Sequence, residues 1–289
     1  MSFAETVLLG AVAGFTIYLG LPIGRVQRVD HRLRVCLAMF SVGILAFIFM
    51  DVTSHAEGLV AAAVRSFKND KTGFGHVLGL FALLTLGFTA GTAGISAIDQ
   101  TLRRRRSAPA PIAGGEADAV LSPQELGRFQ AQAAEADARR RALQTGMTIA
   151  VAIGLHNFAE GLAIGVSAKA GAIGLATVLV VGFSLHNATE GFGIVGPLGG
   201  VRPSWAWLGL AGLVGGGPTL VGTIIGYQVH SDALELCFYA LAGGAILYVV
   251  GEIWTGVRRH GHHTLGLYLL AAGFLTGVAT DLIVSYGGA

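Results

Sequence analysis

The sequence predicts an all-α integral membrane protein of eight transmembrane helices. Three observations carry that expectation. Of 289 residues, 53% are hydrophobic and only 12% are charged, and the mean hydropathy is +0.66. A soluble domain carries about 25% charged residues. Glycine occurs 44 times, a composition suited to membrane helices, where small residues let backbones approach closely. Finally, apolar runs of about 20 residues, the length that crosses a bilayer, recur along the whole chain.

Taken in order, the apolar runs are 3–24, 33–56, 75–101, 142–167, 170–196, 203–229, 233–256 and 264–287. The first lacks a basic leader and a small-residue cleavage motif, so it reads as a retained helix. Helices four and five are separated only by Lys169–Gly171, which makes them a tight antiparallel pair. This divides the chain into helices one to three (1–101), a largely flexible loop (102–141), and helices four to eight (142–289). In the loop, RRRRSAPAPIAGGEADA has the composition of a disordered segment. Ser122 and Pro123 then look like a capped helix start, so the residues after them read as an extension of helix four.

Basic residues set the orientation. All but four of the nineteen Lys and Arg fall after helices one, three, five and seven; the exceptions are Arg65, Lys68, Lys71 and Lys169. By the positive-inside rule both termini lie outside and the 102–141 loop is cytoplasmic. The expected location is the cell (inner, cytoplasmic) membrane, crossed many times. A net charge of +2 gives no bulk basic character for nucleic acid. Cys36 and Cys237 fall in predicted helices and read as small core residues, not a disulfide framework.

Helices four and five carry the chemistry. The pattern Leu-His-Asn-x-x-Glu-Gly occurs twice, as LHNFAEG and LHNATEG, thirty residues apart. His156 and Glu160, like His186 and Glu190, are four residues apart and share a helix face. In apolar surroundings such pairs are costly unless a proton, a partner or a metal satisfies them. His156 comes fourteen residues into helix four and His186 fifteen into helix five, roughly 21 Å from opposite membrane faces. The two pairs therefore meet near the midplane and offer two imidazoles and two carboxylates to one point. Two carboxylates neutralise a divalent cation, and His₂Glu₂ suits Zn²⁺ or Fe²⁺. Asn157 and Asn187 add amide oxygens suited to an adjacent, harder or more hydrated position. Gly161 and Gly191 permit close helix contact.

These two motifs resemble the signature of the ZIP (Zrt-/Irt-like) divalent metal transporters, as does the eight-helix pattern with its long loop between helices three and four. The resemblance implies Zn²⁺ as the transported substrate, with Fe²⁺ or other divalent ions also carried, moving into the cytoplasm and with no organic cofactor. It implies that His156, Glu160, His186 and Glu190 form the main site, with Asn157 and Asn187 contributing to a neighbouring one. It further implies a 3+2+3 bundle, helices one to three related to six to eight by inverted repeat, and sliding of a metal-carrying bundle along a more static wall. The chain departs from the family pattern in three ways. Ala159 and Thr189 stand where Pro is common, and Thr189 is placed to bond back to the Leu185 carbonyl. Gly217 precedes Pro218 where relatives often carry a Glu ligand, which leaves open whether a second metal binds. Residues 102–141 contain no His.

The remaining polar residues read two ways. Asp51 and His55, with Glu57, lie near the outer end of helix two as a cation-collecting site on the way in, or as interfacial groups. Glu252 and Asp99 lie near cytoplasmic ends, as ion exits or as partners of nearby Arg. His260, His262 and His263 form a short cytoplasmic cluster. His76, His230, Asp232 and Asp281 read as solvated near interfaces. The spacings Gly87-x-x-x-Gly91, Gly161-x-x-x-Gly165 and Gly222-x-x-x-Gly226 are packing faces; a homodimer is compatible with them, though none by itself predicts one. The expected partners are thus divalent metal ions and the lipid bilayer. Two other function classes compete. An intramembrane zinc-dependent hydrolase needs an open water position and a separate base, and no His-Glu-x-x-His is present. A haem protein ligated by His156 and His186 would not place a Glu one turn from each.

Overall fold

The structure, a computed structural model, describes residues 1–26, 31–106, 123–171, 173–198, 201–229, 231–258 and 263–286. The described residues are almost wholly helical. The elements are α1 (Phe3–Phe15), α2 (Ile17–Gly20) with a 3₁₀ turn (Leu21–Arg25), α3 (His31–Lys68), α4 (Phe74–Arg106), α5 (Pro123–Lys169), α6 (Ile173–Val195) with a 3₁₀ turn (Gly196–Leu198), α7 (Trp205–Gln228), α8 (Asp232–Arg258) and α9 (His263–Tyr286). Seven described stretches are long and apolar enough to cross a membrane: Phe3–Arg25, Val35–Lys68, Phe74–Ile98, Gly127–Lys169, Trp205–Gln228, Asp232–Thr255 and Thr264–Leu282. α6 is a further helix of 23 residues, with side chains described from Val180 onward.

The helix ends follow local chemistry. α1 starts at a capping box, in which the Ser2 hydroxyl accepts from the Glu5 amide and the Glu5 carboxylate accepts from the Ser2 amide. It breaks at Thr16, whose hydroxyl donates to the Ala13 carbonyl at 2.6 Å. That carbonyl also takes a bond from outside the helix, described below. α3 runs past the expected end near residue 56 because the AAAV stretch is good helix-forming, apolar sequence without a breaker. It stops at Lys68, where Asp70 turns the chain with a φ of 55°. α5 begins at Pro123, so the segment after Ser122 is helical and continuous with the motif helix. After α5 the chain turns at Gly171, whose φ of 77° suits glycine.

α5 packs along α7, and α1 and α2 pack on α7 and α6. α4 packs on α8, and α3 on α8 and α9. Small residues set the closeness: a Cβ at Gly161 on α5 would collide with the Thr219 carbonyl of α7, and one at Gly191 on α6 with the Ile17 carbonyl of α2. Ile44, Phe47, Ile48, Ile149, Ile153, Ile194, Leu236 and Ile246 fill the interior. Leu8, Leu19, Phe81, Leu86, Leu213, Leu275 and Leu282 stand outward and exposed. An apolar exterior around an interior holding ionisable groups is the inside-out arrangement a bilayer stabilises. The chain is a multi-pass, all-α membrane protein.

Candidate metal centre

Among the described residues, the buried polar or charged side chains apart from Tyr239 are the six motif residues with Thr6, Ser41, Thr219 and Thr223. His156, Asn157, Asn187 and Glu190 are 0% exposed, Glu160 4% and His186 7%. α5 and α6 bring both motifs to one point. His156 Nε2 lies 3.3 Å from Glu160 Oε1 and 3.8 Å from Glu190 Oε1, and His186 Nε2 lies 3.5 Å from Glu190 Oε1. The two imidazoles face each other with ring centres 5.7 Å apart. One donor atom from each of His156, Glu160 and His186 fits within 4.8 Å of the others.

These atoms are close without being hydrogen-bonded. Nε2 of both histidines, Glu160 Oε2 and Glu190 Oε1 are buried with no aligned partner among the described residues. Buried donor atoms without hydrogen-bond partners, on side chains this close together, suit a cation. Donors around a tetrahedral zinc stand roughly 3.3–3.5 Å apart, given bonds of about 2.0–2.2 Å. The three carboxylate–imidazole separations, 3.3, 3.8 and 3.5 Å, are close to that set, and two carboxylates balance a divalent charge.

The asparagines have a role the sequence did not disclose. Asn157 Nδ2 donates to Glu190 Oε2 and to the Gly215 carbonyl of α7, both at 2.9 Å. Asn187 Nδ2 donates to the Ala13 carbonyl at 2.8 Å. That bond, with the Thr16 hydroxyl on the same carbonyl, accounts for the break between α1 and α2. Each motif helix is thus pinned to a neighbour through its asparagine, and each amide oxygen is left buried and unpartnered.

Two sequence expectations need correction. Thr189 donates to the His186 carbonyl at 2.7 Å, not to that of Leu185; the shorter three-residue reach wins. Asp51 and His55 do not sit at a helix end, because α3 continues to Lys68 and leaves them in mid-helix. His55 Nδ1 is 3.4 Å from Asp51 Oδ1, and its ring stacks on Tyr239 of α8 at 5.2 Å. Asp281, read from sequence as solvated, is exposed on α9.

Glu57 and Glu252 are exposed, the latter six residues before the end of α8. Asp99 lies on α4, but its side chain is outside the described residues, as are Arg259, His260, His262 and His230 and the side chain of His263. Phe47 packs its ring 5.8 Å from that of His186, and Phe158, inside the first motif, stacks on Phe238 of α8 at 4.0 Å. Gly217 lines an apolar groove with Leu213, Pro218 and Phe238 and offers no ligand atom.

No protein-family model matches the chain. Over 298 aligned residues it is 27% identical to the zinc transporter ZupT of Clostridium perfringens, an alignment spanning 98% of this chain and 95% of that relative. It is 28% identical over 239 residues to the zinc transporter ZupT of Corynebacterium glutamicum, covering 81% of each. With the protein of the same name from Corynebacterium aurimucosum it shares 29% over 162 residues, which is 53% of this chain and 60% of the relative.

Proposed function

We infer that this chain is a ZIP-type transporter that carries divalent metal, zinc foremost, across a membrane through the His/Glu site. One observation carries the reading: four buried, unpartnered donors from His156, Glu160, His186 and Glu190 converge from two helices on one space. The relatives' shared name points the same way. The mixed imidazole and carboxylate set binds a divalent ion firmly yet remains open to protonation, as release demands. Fe²⁺ is a second cargo on the same donor chemistry, and no organic cofactor enters the scheme.

The finer architecture we assign is eight spans, α6 being the eighth, in a 3+2+3 inverted repeat. The helix pairing supports it. Exchanging α1/α2 with α7, α3 with α8, α4 with α9 and α5 with α6 turns the α5–α7 contact into α6–α1/α2 and the α4–α8 contact into α9–α3. The two asparagine anchors exchange as well, Gly215 of α7 for Ala13 of α1. The distribution of Lys and Arg favours termini outside and the 102–141 segment in the cytoplasm. Asp51 and His55 serve as the ion's approach and Glu252 as an exit in the cell membrane. Homodimer formation gains no support from the small-residue faces, since Gly87, Gly91, Gly161, Gly165, Gly222 and Gly226 all meet other helices of the same chain. The hydrolase reading has no observation in its favour.

Radiotracer zinc uptake into proteoliposomes tests the function. Wild-type chain accumulates zinc, and Glu160→Ala and His186→Ala do not, although both reach the membrane. Wild-type uptake by both variants sinks the site assignment.

A further inference from the structure

Away from the metal site, three arginines gather at one end of the bundle. Arg25, in the 3₁₀ turn after α2, donates through Nη1 to the Pro203 carbonyl at 2.5 Å. Its guanidinium also lies over the Trp205 ring, 4.6 Å from the centroid. Arg139 of α5 donates to the neighbouring Arg202 carbonyl at 3.2 Å, and the Arg202 side chain is exposed. Among the described residues neither Arg25 nor Arg139 has a carboxylate within ion-pair reach, whereas Arg140 is paired with Asp137. A guanidinium has five N–H donors, so these carbonyl bonds leave most of both forks unused.

Depth and surroundings say what such a cluster meets. Trp205 lies ten residues before Gly215, whose carbonyl holds Asn157 at the metal site, hence about 15 Å from it along α7. That is half of a hydrocarbon core about 30 Å thick, the level at which tryptophan belts form. The Trp205 ring is exposed, as are Leu19, Ile23 and Val26 on either side of Arg25 and one turn before it. Positive charge without a carboxylate thus stands at headgroup level, above an apolar flank.

We propose that Arg25, Arg139 and Arg202 form a binding site for the phosphate of an anionic phospholipid, whose acyl chain runs along the flank of Leu19 and Ile23. Charge complementarity fixes the sign of the occupant, and the planar guanidinium fork matches phosphate oxygens. The apolar flank selects a lipid over a free phosphate, which has no use for Ile23 or Trp205. Because the arginines bond to the connection leading into α7, the bound lipid braces the end of α2 and the start of α7 against motif helix α5.

The test uses the full chain in phosphatidylcholine bilayers. A minor fraction of brominated phosphatidylglycerol or brominated phosphatidylcholine quenches tryptophan emission, and comparison with Trp205→Phe isolates the Trp205 signal. In wild type, brominated phosphatidylglycerol is expected to quench that signal about tenfold more effectively per lipid, or better. Arg202→Gln cuts the preference about fivefold, the worth of one basic group at an anionic surface. Arg25→Gln with Arg139→Gln abolishes it. Arg128→Gln, the same charge change about 16 Å farther along α5, leaves it intact. Absence of a preference in wild type overturns the inference. An equal loss in Arg128→Gln and Arg202→Gln also overturns it, since the attraction is then diffuse. Displacement of the lipid by inorganic phosphate at constant ionic strength does so as well, because the site then takes a soluble anion. Arg202→Gln keeps the carbonyl that Arg139 uses, so it decides even where the double variant fails to fold.

Discussion

Asn157 holds the Glu190 carboxylate from the opposite helix, at 2.9 Å, while its second amide hydrogen anchors it to the Gly215 carbonyl of α7. The bond fixes Oε2 and leaves Oε1 facing His156 and His186. One amide thus links three helices at the point where the metal donors meet. Groups that orient a ligand in this way matter nearly as much as the ligand.

Asn157→Ala is therefore expected to weaken zinc binding about 10- to 100-fold, the usual effect of removing such a partner, while all four His and Glu donors remain. Competition against a chelating dye in detergent measures it. Zinc affinity equal to wild type would show that Glu190 needs no such support.

Backbone proximity gives a second expectation. A Cβ at Gly161 collides with the Thr219 carbonyl, whereas one at Gly217 meets only the Leu213 side chain, at 3.4 Å. Gly161→Ala should destabilise the chain by about 1–3 kcal/mol, the range for overpacking. Gly217→Ala should be near neutral, the better helix propensity of alanine being offset by its Cβ against the Cδ of Pro218. Thermal unfolding in detergent compares the two, and equal midpoints would contradict the close α5–α7 packing.

Much of this site was legible in the sequence because the i, i+4 spacing of His156/Glu160 and His186/Glu190 is enforced by helix geometry alone. Antiparallel neighbours then had to bring the pairs to one depth. What was not legible depends on packing between distant helices. Asn157 reads as an amide oxygen in sequence but acts through its nitrogen, because Glu190 and Gly215 happen to flank it. Thr219 reads as one more small residue of a glycine-rich helix until α1 and α5 close over it. Asp51 was misplaced for a local reason: Gly58 has no Pro beside it and does not end α3, which runs ten residues further.

The mid-helix position of Asp51 bears on transport. Asp51 pairs with His55, which stacks on Tyr239. Asp51→Asn is expected to raise the zinc concentration giving half-maximal flux about three- to tenfold, by removing one partly buried attraction of about 1 kcal/mol. The zinc bound per chain should stay the same. Proteoliposome flux against zinc concentration gives the first quantity and equilibrium binding the second. Unchanged flux would return Asp51 to simple solvation.

Four buried donors without aligned partners leave the metal-free protein with a desolvation cost that the ion removes. Ligand binding to the folded state alone stabilises it by about 2.7 kcal/mol at a concentration one hundred times the dissociation constant. Zinc should therefore raise the unfolding temperature of the wild-type chain, and a chelator should reverse the rise. His156→Ala removes one donor, the imidazole that lies beside both Glu160 and Glu190. It should respond to zinc weakly or not at all. A full zinc-induced rise in His156→Ala would place the stabilising ion elsewhere on the chain, away from the convergence of α5 and α6.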